Sequence, residues 1–402
     1  MMKAIIEKSV ANGKIKAPPS KSMAHRALIC GAFSESSKIC NVAYSDDINA
    51  TLDCLESLGA FVEKYDDYVI IGGLDINKIQ DGASLFCNES GSTLRFLVPI
   101  CMVSGKKITL KGSKRLFERP LSVYEKIAEE NGIYFEKGVD YITVNGRLQS
   151  GEYVIPGNIS SQFITGMLYA LSLLDSDSKI SVSGAFESAS YIDLTFGAMA
   201  SFGVEIKKEN NEFFVNGGNK YQSQEYYVEG DCSNAAFLEV FNYLGGSVDV
   251  EGISPDTMQG DRVYLQMFKD IKNGKKCFDI SDCPDLAPIL FALSAVYGGA
   301  KFTGTARLKL KESDRAAVMA EELAKFGIDV KVEENSVIIE NCELYQPQEE
   351  LCGHNDHRIV MALSSLCSVT GGTVNDAQAV KKSYPDYFEV ISSLGISVKK
   401  VN

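Results

Sequence analysis

Histidine is scarce in this chain. Its 402 residues hold three, His25, His354 and His357, so a histidine-rich metal centre is not expected. The eleven cysteines are odd in number and contain no Cys-x-x-Cys pair. A disulfide framework or structural zinc site would show paired spacings. The thiols therefore read as small core residues in a reducing cytoplasm. Long apolar runs are missing. Phe163–Leu174, among the longest, falls well short of the roughly 20 residues that span a bilayer. Met1 to Lys16 mixes Lys with Glu around no apolar centre and does not read as a leader. Positive charge is in deficit, with 40 Lys and Arg against 53 Asp and Glu and a net charge of −13. That argues against nucleic acid as the main partner. No Walker loop and no G-x-G-x-x-G fingerprint occurs, so a nucleotide phosphate cradle is not expected either.

What is present is ordinary globular composition, 45% hydrophobic and 23% charged, and a length that suggests two domains. The chain also repeats itself. A helical stretch closes on Gly and an alternating apolar strand follows in Leu58-Gly59-Ala60-Phe61-Val62. The pattern returns at Asn131-Gly132-Ile133-Tyr134-Phe135, Phe202-Gly203-Val204-Glu205-Ile206, Phe326-Gly327-Ile328-Asp329-Val330 and Leu394-Gly395-Ile396-Ser397-Val398. Asn273-Gly274, followed by Phe278-Asp279-Ile280, is a weaker sixth copy. Gly after a helix suits a left-handed cap, and the alternation suits a half-buried strand. Several copies run on into a second strand, as at Tyr68–Gly72, Tyr141–Gly146, Phe213–Gly217 and Ser336–Glu340. Units recurring at roughly 50 to 75 residues indicate a repeat architecture, here two domains of three. No Pro- or Ser-rich linker separates them, so a tight hinge and a shared cleft are expected.

The chemistry is gathered at helix starts. In Pro18-Pro19-Ser20-Lys21-Ser22-Met23-Ala24-His25-Arg26, Ser20 reads as an N-cap, with Lys21 at the helix start and Ser22 and Arg26 one turn apart. Asn88-Glu89-Ser90-Gly91-Ser92-Thr93-Leu94-Arg95 is a small polar turn in which Gly91 permits close approach to a ligand. Arg119 precedes Pro120 and is held extended at a helix start. Ser160-Ser161-Gln162 opens an apolar helix with two hydroxyls and an amide. Lys311-Glu312-Ser313-Asp314-Arg315 packs two cations and two further acids before a helix. Asn355-Asp356-His357-Arg358 is a polar cap. Pro385, after Lys382, reads as a first helical residue, and Asp285 lies near another helix start. Singly, each is matched by ordinary capped surface helices. Together, helix dipoles and cations focused on one place describe a site for strongly anionic ligands.

These motifs resemble the 5-enolpyruvylshikimate-3-phosphate synthase family of enolpyruvyl transferases. The resemblance runs from Ser20-Lys21-Ser22 to Pro385-Asp386-Tyr387. It is carried by Lys21-Ser22-x-x-His25-Arg26, Lys311-Glu312-Ser313-Asp314-Arg315 and Asn355-Asp356-His357-Arg358. It implies an α/β fold of two similar domains, each of three βαβαββ units (an inside-out α/β barrel), with the active site in the interdomain cleft. Residues 1–15 and 229–402 would form the first domain and 16–228 the second. The implied reaction moves the enolpyruvyl group of phosphoenolpyruvate to the 5-hydroxyl of shikimate 3-phosphate, in the shikimate pathway to chorismate and aromatic amino acids. It needs no metal and no organic cofactor. The implied protein is a cytoplasmic monomer with no membrane or nucleic-acid partner, and a glyphosate target.

Residue by residue, the resemblance assigns the shikimate phosphate to Ser160, Ser161 and Ser188, with Lys311 near it. The ring falls to Ser22, Arg26, Gln162, Tyr191 and Asp285. Phosphoenolpyruvate falls to Lys21, Gly91, Arg119, Arg315, Arg358 and Lys382, with Arg95 shaping that side and His357 beside Arg358. Asp285 and Glu312 match the acid–base pair, and Lys21 is a third candidate for proton transfer. There are departures. Ser188-Ala189-Ser190-Tyr191 lacks the usual Lys-Pro, Glu89 replaces a usual Asn, Ser92 a usual Thr, and Arg307 stands where some members carry an Asn. Two rivals remain at this stage. One is the sister transferase that uses UDP-N-acetylglucosamine, which usually has Lys-Asn in place of Lys21-Ser22. The other is a non-catalytic binder of phosphorylated metabolites, for which Glu312 and Asp285 would be a handicap.

Overall fold

The glycines that punctuate the repeat are where the backbone turns left-handed. Gly59, Gly132, Gly203, Gly274, Gly327 and Gly395 all have φ between 63° and 109°, a region that carries no steric cost without a Cβ. After four of them the chain makes an antiparallel hairpin. These are Phe61–Lys64 with Tyr68–Gly72, Tyr134–Lys137 with Tyr141–Asn145, Ile206–Glu209 with Glu212–Val215, and Val330–Val332 with Ser336–Ile339. After Gly395 the strand Val398–Val401 pairs instead with Lys3–Ile6 from the start of the chain.

Gly274 departs from the expected repeat. The strand after it, Cys277–Asp279, pairs parallel with Ala300–Thr303 and opens the next sheet. The turn is kept there and the hairpin is not. That accounts for the weakness of the sixth copy. The matching sheet is a two-stranded parallel pair, Asn12–Lys16 with Ser247–Glu251.

The computed structural model describes residues 2–401. The chain divides into a terminal unit, Met1–Pro18 with Gly230–Asn402, and a central unit, Pro19–Glu229. The central unit holds three four-stranded sheets. Each combines a parallel pair with an antiparallel hairpin, as in Glu152–Pro156, Ser178–Ser183, Glu212–Val215 and Ile206–Glu209. One of the three is completed by the late strand Glu225–Tyr227, which runs parallel to Ser37–Cys40 near the unit's beginning. The terminal unit holds two four-stranded sheets and the two-stranded pair. Each unit has its own apolar core.

Helices of the central unit bury their apolar faces in its core, and one of them is buried along almost its whole length. Helix α1 is Lys21–Ala32, α2 is Asp46–Ser57 and α3 is Gly91–Val103. All of α3 except Ser92 is buried. Its packing against Ser161–Ser172 depends on Gly166, where a Cβ would meet Arg95 O and Tyr124 Oη at 2.4 Å. Pro99 lacks an N–H, so the Arg95 carbonyl has no donor one turn on. Tyr124 Oη supplies one at 2.5 Å. Seven of the eleven cysteines are buried and fit the core reading, whereas Cys277 is exposed. Among the described residues no helix is long and apolar enough to cross a membrane.

Candidate active site

Buried helices must have their free N-terminal N–H groups met at the ends, and here the caps are hydroxyls and carboxylates. Ser20 caps α1, Ser90 caps α3, Ser160 caps Ser161–Ser172, Asp314 caps Arg315–Ala324 and Asp356 caps His357–Thr370, each by its side chain. Ser188 differs. It precedes Ala189–Ser201 in the left-handed region at φ 57°, and its side chain makes no capping bond. Two helix readings shift. Pro385 lies before the helix Tyr387–Ser393 rather than in its first position. Arg119 is extended as expected, but it ends the short helix Lys114–Glu118, and the next helix starts only at Ser122.

In the central unit the basic side chains are held mostly by uncharged oxygens. Arg26 is buried and donates from Nε to Thr195 Oγ1 at 2.9 Å, and from its two terminal nitrogens to Ser22 O and Tyr191 O at 2.8 Å. Arg95 donates to Gln162 Oε1 at 2.7 Å and to Pro120 O at 3.3 Å, while Gln162 Nε2 donates to Ser92 Oγ at 2.9 Å. Lys21 forms an ion pair with Asp47 at 2.7 Å. Gly91 lies against Arg119, and a Cβ built there would stand 2.5 Å from the guanidinium. In the structure the first group it meets is Arg119.

In the terminal unit Lys311, Arg315 and Arg358 are bound to carboxylates. Asp285 accepts from Lys311 at 3.0 Å and Arg315 at 2.8 Å through Oδ1, and from Arg358 at 3.0 Å through Oδ2. Arg315 is 1% exposed and also grips Glu312 at 2.7 Å and Asp356 at 2.9 Å. Ser313 Oγ donates to Asp356 as well. Burial alone would raise the Asp285 carboxyl, but Arg358, Lys311 and Arg315 overcome it and hold the group well below the usual carboxylate range. Burial lowers the Lys311 ammonium while Asp285 holds it up. Burial likewise works against the Arg315 charge, yet Asp356, Glu312 and Asp285 raise its pKa further. Lys382 Nζ donates to Asn355 O at 2.6 Å, His357 is buried beside Asp356, and Arg307 donates to Ser281 O at 2.6 Å. Arg307 is close enough to Lys311 to oppose its charge.

Three contributors escaped the sequence reading. Asp47 holds Lys21, Thr195 holds Arg26, and Asp356 orders Arg315. Asp47 sits in the first turn of a Ser-capped helix, where an acid is explained by the helix dipole alone. Asp356 was visible in its motif but was read only as a cap. Elsewhere, Glu321, Glu322 and His354 group closely enough to hold a metal ion. However, Lys325 Nζ lies 2.9 and 3.0 Å from the two Glu322 oxygens and supplies the counter-charge.

Repeat-built α/β units that collect cations and carboxylates at helix N-termini define a class of protein for anionic ligands. A family model described as EPSP synthase (3-phosphoshikimate 1-carboxyvinyltransferase) matches residues 6–391. The 3-phosphoshikimate 1-carboxyvinyltransferase of Clostridium kluyveri is 40% identical over 411 aligned residues, covering 95% of each chain. That of Clostridium perfringens (strain ATCC 13124) is 39% identical, covering 98% of this chain and 99% of the relative. A solved EPSP synthase from Acinetobacter baumannii shares the fold, with a TM-score of 0.81 over 100% of both chains at 24% identity. The chain belongs to the EPSP synthase family.

Proposed function

We propose that the two clusters are the ligand-holding and proton-handling parts of the enolpyruvyl transfer that this family performs. The chain is a transferase that moves the enolpyruvyl group of phosphoenolpyruvate to the 5-hydroxyl of shikimate 3-phosphate and releases phosphate. The donor is assigned to Lys21, Gly91, Arg119, Arg315, Arg358 and Lys382, with Arg95 and His357 supporting them. The acceptor is assigned to Ser22, Arg26, Ser160, Ser161, Gln162, Ser188, Tyr191, Asp285 and Lys311. The protein works in the cytoplasm as a monomer.

The observation that carries this reading is the set of Asp285 and Glu312 among Lys311, Arg315 and Arg358. Acids beside an anion weaken binding, so a simple binder has no use for them. A transferase does. The methylene carbon of the donor takes a proton while the acceptor hydroxyl loses one and its oxygen bonds to the central carbon. The carbon–oxygen bond to phosphate then breaks, and the methyl carbon returns a proton. Groups able to exchange roles are required. Pinned by three cations, Asp285 is ionised at neutral pH. Ligand phosphates that draw Lys311 and Arg358 away would raise its proton affinity. Glu312, Asp285 and Lys21 are the proton-handling candidates. The test is phosphate release with both substrates present. Release needing both supports the reading, and tight binding of both without release overturns it.

A further inference from the structure

Four buried side chains of the central unit form one line of hydrogen bonds. His25 Nδ1 lies 2.8 Å from Thr51 Oγ1, which lies 2.6 Å from Thr93 Oγ1, which lies 2.7 Å from Ser90 Oγ. All four residues are 0% exposed. The line crosses α1, α2 and α3 and ends on the cap of α3, one residue before Gly91. None of the four belongs to the ligand-holding set assigned above.

The direction of the line can be worked out. Each hydroxyl has one hydrogen to give. Thr93 Oγ1 donates to Ser90 Oγ at 2.7 Å, with Asp47 O a longer second acceptor at 3.5 Å, so its hydrogen is engaged in either case. Ser90 Oγ, as the cap, also accepts from Thr93 N–H at 3.2 Å. With the Thr93 hydrogen engaged, the hydrogen between Thr51 and Thr93 comes from Thr51. The hydrogen between His25 and Thr51 must then come from the ring. Burial first, then Lys21 and Arg26, keeps that ring neutral. It is therefore the tautomer that carries hydrogen on Nδ1. Its Nε2, which has no partner, is left as a bare lone pair. The ring stands edge-on to Phe96 at 6.4 Å between centroids.

We propose that His25 is a positioning residue for the donor: as the Nδ1–H tautomer it directs a hydroxyl line that fixes the start of α3, where Gly91 lies against Arg119. This rests on the assignment of Gly91 and Arg119 to phosphoenolpyruvate. Rotating Thr51 or Thr93 to satisfy a different ring would loosen the Ser90 cap and shift the Gly91 backbone. The Arg119 guanidinium, packed against the Gly91 position, would move with it.

Two measurements test the proposal. Nitrogen-15 spectra of histidine-labelled protein contain only three imidazoles and report the tautomer directly. Nδ1–H at His25 is expected, and Nε2–H overturns the derivation. Steady-state kinetics of His25→Leu, Thr51→Val and His25→Asn then read the effect. Losing one buried hydrogen bond should raise the KM for phosphoenolpyruvate about tenfold in the Leu and Val variants, with the KM for shikimate 3-phosphate within about twofold. Asn, which places a donor near the position of Nδ1, should restore most of the loss. Equal rises in both KM values, or none, in folded Leu or Val protein would mean the line serves packing alone. If the Leu variant does not fold, Thr51→Val and the spectrum still decide. Arg119→Ala in the same assay separates the two ways of failing. A normal donor KM there overturns the site assignment. A raised one, with normal values in the Leu and Val variants, overturns the role of the line.

Discussion

In the central unit Arg26 and Arg95 are held by carbonyl, hydroxyl and amide oxygens. In the terminal unit Lys311, Arg315 and Arg358 are held by carboxylates. A cation held by a carbonyl keeps its charge for a ligand. One held by a carboxylate is already neutralised, and an incoming anion must take the place of that partner. The two units, built on the same repeat, therefore prepare differently for the same kind of ligand. The central unit sets the Arg26 charge in place with neutral oxygens. The terminal unit stores acids and bases whose proton affinities depend on what their cations touch. Lys21 with Asp47 is the central unit's counterpart of that second arrangement.

The comparison breaks most sharply at Asp285. Asp285→Asn leaves three cations without their shared counter-charge. Removing one partner of a buried ion pair costs about 3 kcal/mol or more, here less the relief from partial exposure. The variant should lose stability in urea unfolding at pH 7. The sign with pH follows from the depressed carboxyl. Its contribution is complete above the unfolded value of about 3.9 and is lost as pH falls through the lower folded value. The gap between wild type and variant should thus narrow below about pH 4. A gap that stays constant with pH would show that the cations do not depress this group.

Glu312 sharpens the comparison, because Gln keeps the shape and removes the charge. Turnover should fall roughly 10²-fold or more with substrate binding largely kept. Near-normal turnover would remove Glu312 from the acid–base pair and leave the terminal cluster as a binding device.

Gly91→Ala is the corresponding test in the central unit. The new methyl meets the end of the flexible Arg119 side chain, so the fold should survive. Glyphosate, the longer molecule, should lose more affinity than phosphoenolpyruvate, by about tenfold in their ratio for a displaced charged contact. Inhibition curves against phosphoenolpyruvate for wild type and variant measure this. Identical inhibition constants would show that Arg119 does not follow the turn.

The smallest effect is expected at Ser188. A left-handed non-glycine residue costs about 1 kcal/mol, which Ser188→Gly offsets against its own chain entropy. The variant should melt no lower than wild type, while its KM for shikimate 3-phosphate rises. A lower melting point with an unchanged KM would make Ser188 a structural residue.

Much of this was readable from the chain. The positive-φ glycines are local, because a helix that ends in Gly needs no distant information to turn left-handed. The cap Ser20 was likewise legible, as were the helix starts at Gly91 and Ser161 that Ser90 and Ser160 cap, since a cap is a contact between near neighbours. The hairpin missing after Gly274 was not legible. The turn residues there are ordinary, and only the distant strand Ala300–Thr303 claims Cys277–Asp279. Pro385 misled for a similar reason: proline fits a helix start but does not require one.

The sequence by itself determined the repeat, the capped helix starts, the family and the kinds of side chain available to hold anions, because periodicity, capping and motif spacing are properties of nearby residues. Only the tertiary structure decided what each cation is bound to. Asp47 meets Lys21, Thr195 meets Arg26, and Asp356 meets Arg315 across 26, 169 and 41 residues of chain. Partners at such separations are chosen by how sheets and helices pack. For a charged group in a low-dielectric interior, the partner decides whether its charge is available to a ligand.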